Sequence, residues 1–121
     1  ESELIHRAIY SPCQTDEELV ERYAAGKSGT GYGFYVPETL AIAYDIFLGA
    51  GGDMQEAVYR AVNLGGDSDS TASIVAAMIA CQSGGAYKEP PDMESVQDIE
   101  QLRTVSAQLA EAALRRTVKL G

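Results

Sequence analysis

The chain has 121 residues, 45% of them hydrophobic and 22% charged, enough for one modest core. Nine Lys and Arg stand against 18 Asp and Glu, a formal net charge of −9, so nothing basic is available to neutralise phosphates or dock on an anionic bilayer. Nucleic-acid and membrane-surface partners are therefore excluded, no apolar run reaches the ~20 residues of a membrane span, two cysteines are too few for a disulfide scaffold, and a lone His6 rules out a histidine cage.

In chain order, Leu4, Ile5, Ala8 and Ile9 form a short helical stripe over residues 3–11, ended by Pro12. Thr15 and Glu18 read as a capping box, opening a helix that runs to Ala25 and stops at Gly26. Residues 26–33, GKSGTGYG, carry four glycines in eight positions, a loop whose backbone can approach a ligand closely. Pro37 suits the first turn of the next helix. That helix, 38–48, is apolar nearly all round and is expected to be buried. Asp53 and Glu56 read as a second capping box for a helix over 54–64, stopped by Gly65 and Gly66.

Residues 71–83 form a further, nearly uncharged helix. Its Ala72, Ala76 and Ala80 recur every four residues, a small-residue face that marks it as the expected central helix. Two prolines make 88–95 a loop. A last helix over about 95–118 shows Val96, Ile99, Leu102, Val105 and Leu109 on one face, with Asp98 and Glu100 early and Arg115, Arg116 and Lys119 late, matching the helix dipole. No segment alternates as a strand does.

Chemistry concentrates at Gly65-Gly66-Asp67-Ser68-Asp69-Ser70-Thr71. Two carboxylates one residue apart lie ahead of an apolar helix, where uncompensated charge is costly. Carboxylate and hydroxyl oxygens suit a hard cation such as Mg²⁺, Mn²⁺ or Ca²⁺. Helix N-capping by Asp, Ser or Thr fits the same string; the paired glycines and the apolar helix tilt the reading toward a metal. An EF-hand fails, because its sixth and twelfth loop positions fall on Ala72 and Met78. A phosphatase-type D-x-D loop would follow a β-strand, and here a helix precedes. Elsewhere the bland readings are these: Tyr35 as a core tyrosine, Glu38 as a solvated first-turn carboxylate, Cys81 as a buried small hydrophobe, and Cys13 in an exposed loop.

The string Ala61-Val62-Asn63-Leu64-Gly65-Gly66-Asp67-Ser68-Asp69-Ser70 closely resembles the A-V-N-L-G-G-D-[ST]-D-[ST] motif of the ADP-ribosylglycohydrolase family, in particular the type that releases ADP-ribose from dinitrogenase reductase. Tyr35-Val36-Pro37-Glu38-Thr39-Leu40 is similar to the family's Y-V-x-[DE]-T-L segment, and Asp53-Met54-Gln55-Glu56-Ala57-Val58 to its D-x-x-E-A-V helix start. The resemblance covers about residues 29–87. It implies an all-α, compact orthogonal helical domain and a cytoplasmic hydrolase that uses two Mg²⁺ or Mn²⁺ ions to cleave the bond between ADP-ribose and a modified side chain or small leaving group. Asp67, Asp69 and Ser70 would ligate metal, with Asp67 and Asp69 catalytic. Gly31, Tyr32, Gly33, Phe34 and Tyr35 would meet the ADP-ribosylated substrate.

Two departures bear on this. Serines stand at 68 and 70 where many members have threonine, which keeps the hydroxyl. The family's G-D-x-x-G segment and T-D-D-type triplet, which supply its other ligands, are not in these residues. The chain therefore reads as the C-terminal part of such a domain, inactive alone. A second chain or fragment is expected to cover the apolar helices 38–48 and 71–83. A non-catalytic ADP-ribose-binding relative and a helical interaction module are the alternative readings.

Overall fold

A computed structural model describes residues 3–24 and 33–120. Among these the regular structure is entirely helical: α1 (Glu3–Tyr10), α2 (Asp16–Tyr23), α3 (Val36–Gly49), α4 (Met54–Leu64), α5 (Ser68–Ser83), a 3-10 turn (Met93–Ser95) and α6 (Ile99–Leu120). The chain divides into two compact units, Glu1–Glu89 and Pro90–Gly121.

In the first unit α3 is the central element, packed against α1, α4 and α5, while α4 and α5 pack on each other and α2 on α4. The small-residue periodicity of α5 pointed instead to that helix as the centre. The face that α5 buries is Thr71, Val75 and Ile79, with Ala72, Ala76 and Ala80 only partly covered beside it. The core is small and aliphatic, as a chain with no Trp and two Phe requires: Ala8, Leu19, Ala41, Ile42, Ile46, Ala57, Ala61, Val75 and Ile79, with Tyr23 as its largest member. Each buried Leu or Ile contributes about 1.5–3 kcal/mol.

Local signals set the helix ends. The Thr15 capping box forms in both directions: Glu18 N–H donates to Thr15 Oγ1 at 3.2 Å and Thr15 N–H to Glu18 Oε2 at 3.4 Å. The second box forms only halfway. Asp53 accepts from Glu56 N–H at 2.9 Å, but the Glu56 carboxylate turns outward to Arg60 Nε at 2.8 Å. Pro37 lies in the first turn of α3, and Gly84, in the left-handed region at φ +60°, closes α5. Gly49 ends α3 under a hard steric limit, since a methyl group there would sit 2.2 Å from the Cys13 carbonyl oxygen.

A buried carboxylate ties the unit together. Asp45, fully buried on α3, accepts from Cys13 N–H, from Cys13 Sγ at 3.6 Å, from Arg22 Nη1 at 2.8 Å and from Tyr23 Oη at 2.7 Å. A lone buried charge would cost several kcal/mol; four donors offset it. This network reverses the expectation for both cysteines. Cys13 is buried because Asp45 draws its amide and thiol inward, and Cys81, on the outer face of α5, is exposed. Burial, then the charge of Asp45, pushes the Cys13 thiol up to about 12.

In the second unit α6 begins at Ile99, later than the hydrophobic stripe indicates. Asp92 and Asp98 both adopt positive φ, 68° and 57°, and a helix cannot run through either. Ser95 Oγ donates to Asp92 O at 2.6 Å, closing the 3-10 turn instead. Arg103 pairs with Glu94 at 2.8 Å and with Glu100 at 3.0 Å.

Candidate functional site: an acidic turn at the head of α5

The helical stretch that carries the acidic motif starts earlier than its apolar residues do. α5 begins at Ser68, which makes Asp67 its N-cap residue and puts Asp69 and Ser70 in its first turn. The preceding Gly65 and Gly66 take φ of +80° and +68°, a left-handed pair that only glycine adopts at little cost and that folds the chain back sharply between α4 and α5.

N-capping does not use the Asp67 carboxylate. Asp67 has backbone angles of −77° and 55°, outside the extended range of a capping residue, and its side chain makes no capping hydrogen bond. Its carbonyl oxygen carries the start of the helix, accepting from Thr71 N–H at 3.0 Å and Thr71 Oγ1 at 3.0 Å. The Asp67 and Asp69 side chains stand within hydrogen-bonding reach of each other. The Asp69 carboxyl is held below the usual carboxylate range, first by the backbone N–H of Ser70 and next by the Asp67 side chain. Two carboxylates thus converge at one turn, Asp67 partly buried and Asp69 facing solvent, with the partly buried Ser70 in the same turn.

The end of the glycine-rich segment meets this turn. Gly33 is buried with φ +93°, and a methyl group there would lie 3.4 Å from Thr71 Oγ1, 3.4 Å from Ile42 Cδ1 and 3.9 Å from Asp67 Cβ. Its N–H already donates to Glu38 Oε1 at 2.9 Å. Gly33 therefore brings its backbone close beside the turn and offers no free amide. Phe34 and Tyr35 follow it directly and are 76% and 56% exposed, so Tyr35 is not a core tyrosine, and both rings lie at the surface one and two residues from Gly33. Gly31 and Tyr32 lie outside the described residues.

Glu38 is the residue that sequence reasoning misplaced. It is fully buried in the first turn of α3, not solvated. The signal was present in principle: a carboxylate five residues after a glycine-rich run can turn back and accept a loop amide. Asp45 was missed altogether, masked by its apolar neighbours. His6, by contrast, is exposed and packs on the Tyr10 ring at a centroid distance of 4.6 Å.

Fold and site together define an all-α protein with an oxygen-rich acidic turn at the head of an otherwise uncharged helix. Over residues 2–119 the sequence matches ADP-ribosylglycohydrolase, and the chain belongs to that family of glycohydrolases acting on ADP-ribose. Comparison with curated proteins and with solved structures gave no match. Among the described residues no helix is long and apolar enough to cross a membrane, and no three His, Cys, Asp or Glu side chains gather closely enough to hold a metal by themselves.

Proposed function

We propose that this chain contributes the acidic, cation-holding part of a hydrolase that cleaves the glycosidic bond between ADP-ribose and a modified protein side chain or small leaving group. The observation that supports this most is the Asp67 carboxylate, which starts a helix without capping it and converges on Asp69. A hard cation bound between the two would let both carboxyls ionise side by side, because it takes up their charge.

The donor set fits Mg²⁺ or Mn²⁺. Asp67, Asp69 and Ser70 would hold the ion through carboxylate and hydroxyl oxygens. When bound, such a cation supplies polarisation of a ribose hydroxyl or the glycosidic oxygen and lowers the pKa of bound water. The chain's own residues do the rest. The negative oxygens of Asp67 and Asp69 favour the positive charge that develops on the ribose ring in an oxocarbenium-like transition state. Gly33 brings its backbone close beside the turn, with Phe34 and Tyr35 directly after it. Phe34 and Tyr35 present aromatic faces on which a base or ribose can stack.

Three oxygen-bearing residues fall short of the roughly six ligands Mg²⁺ requires, so bound water and residues beyond the described ones would complete its shell. The chain by itself is expected to bind without turnover. Leu40 and Leu48 on α3, 38% and 41% exposed, fit cover by that same second chain or fragment.

A thermal-shift titration with Mg²⁺ and Mn²⁺, with and without ADP-ribose, tests the reading. An ion at a hundred times its Kd stabilises the protein by about 2.7 kcal/mol, a shift of several degrees for a domain this size. Asp67→Ala and Asp69→Ala should each abolish the shift. If both variants respond as the wild type does, the acidic turn is not the cation site.

A further inference from the structure

Two carboxylates of α3 are fully buried, Glu38 and Asp45, and their separation by two helical turns places both on one face of the helix. Asp45 secures Arg22 and Tyr23, which precede the glycine-rich segment. Glu38 secures Gly33, which ends it. Only the second of these contacts leads to the acidic turn.

We propose that Glu38 is a positioning residue for that turn: its buried carboxylate holds the Gly33 amide and so seats Gly33 against Thr71 and Asp67. This rests on reading the turn as the ligand site. A glutamate in the first turn of a helix gains its dipole interaction while exposed. Complete burial adds a desolvation cost that only specific hydrogen bonds offset. At Gly33 those bonds are in place. Its N–H donates to Glu38 Oε1 at 2.9 Å, and its carbonyl accepts from Thr39 Oγ1, so adjacent side chains of α3 grip both polar groups of one peptide residue. What they grip lies close to the turn: Gly33 is buried at φ +93°, within a methyl group's breadth of Thr71 Oγ1 and Ile42 Cδ1. Thr71 in turn bonds the Asp67 carbonyl through both its amide and its hydroxyl. Glu38 thus fixes Gly33, Gly33 lies within a methyl group's breadth of Thr71, and Thr71 bonds the backbone of Asp67. Movement of Gly33 alters the wall beside Asp67 without touching either carboxylate of the turn.

The test compares Glu38→Gln, which keeps an acceptor, with Glu38→Met, which keeps volume and loses it. Hydrogen exchange at the Gly33 amide is read without ligand, and ADP-ribose affinity in Mg²⁺ is read by calorimetry. Glu38→Gln should preserve Gly33 protection and affinity within about threefold. Glu38→Met should speed Gly33 exchange about tenfold beyond any change in core amides such as Ile46, and weaken affinity about tenfold, the loss expected for one buried hydrogen bond. Should Glu38→Met fail to fold, Thr39→Val removes the other grip on Gly33 without disturbing a buried charge, and the same two effects are expected. The inference is overturned if Gly33 exchange changes only in step with the core, or if exchange rises while affinity stays at the wild-type value. If the wild-type chain shows no response to Mg²⁺ with ADP-ribose, the reading of the turn falls, and Gly33 exchange together with the Thr71 amide shift still decides whether Glu38 seats Gly33.

Discussion

Asp45 lies wholly inside the first unit and accepts from a backbone amide, a thiol, a guanidinium and a phenol. At the head of α5, Asp67 is partly buried and Asp69 exposed, and each has the other as a close neighbour. The chemical group is the same and the surroundings are opposite. Where donors saturate a carboxylate, its charge is consumed in holding secondary elements together. Where a carboxylate faces solvent beside a second one and only first-turn backbone amides reach it, its charge ties no elements together.

That contrast is broken most directly at Asp45. Asp45→Ala leaves Arg22 beside a void and should cost about 3–5 kcal/mol, the range for removing one partner of a buried pair; urea denaturation measures it. A loss below about 1 kcal/mol would mean that the network is not a principal tie of the fold.

Alkali should weaken the same region more gently. Burial raises the Cys13 thiol from 9.0 to about 12, with the Asp45 charge adding to it, and burial followed by the hydrogen bond to Asp45 raises Tyr23 as well. Both groups stay protonated in the folded chain while the unfolded chain ionises first. Their contribution is complete below about pH 9 and is lost as pH climbs toward 12. Urea midpoints should fall across that interval. A flat profile from pH 8 to 11 would show that the thiol and phenol are not sealed.

The smallest effect is expected at the turn. Without metal, Asp67→Ala should leave the urea midpoint where it is, since its carboxylate caps nothing, and Asp69→Ala should lower it only slightly, through the loss of exposed bonds to first-turn amides. A clear drop would move the acidic turn into the same structural category as Asp45 and erase the contrast.

Much of this was legible in one dimension. Capping chemistry is local, so Thr15 with Glu18 and the stops at Gly65 and Gly84 follow from residues three or four apart. The Asp67–Asp69 convergence follows from two carboxylates on a glycine-led turn. Partners distant in sequence left no such trace. Asp45 sits in an apolar run and meets Cys13 across 32 positions, so neither its burial nor that of Cys13 has a periodic signature. Glu38 carries the ordinary mark of a solvated first-turn acid, and its bond to the Gly33 amide is made in the interior, where no periodic signal points. The late start of α6 depends on the left-handed backbone of Asp98, a residue whose charge alone fits an early helix turn.

The fates of the two thiols give the molecule a built-in handle. With Cys13 enclosed and Cys81 open on α5, a maleimide dye will attach at a single place in the native chain, with no cysteine to engineer away. That place lies near the far end of the helix from Ser68, about 20 Å along its axis at 1.5 Å per residue. Such a label sits far enough from the turn to leave it undisturbed and near enough to test by energy transfer whether a fluorescent nucleotide binds there.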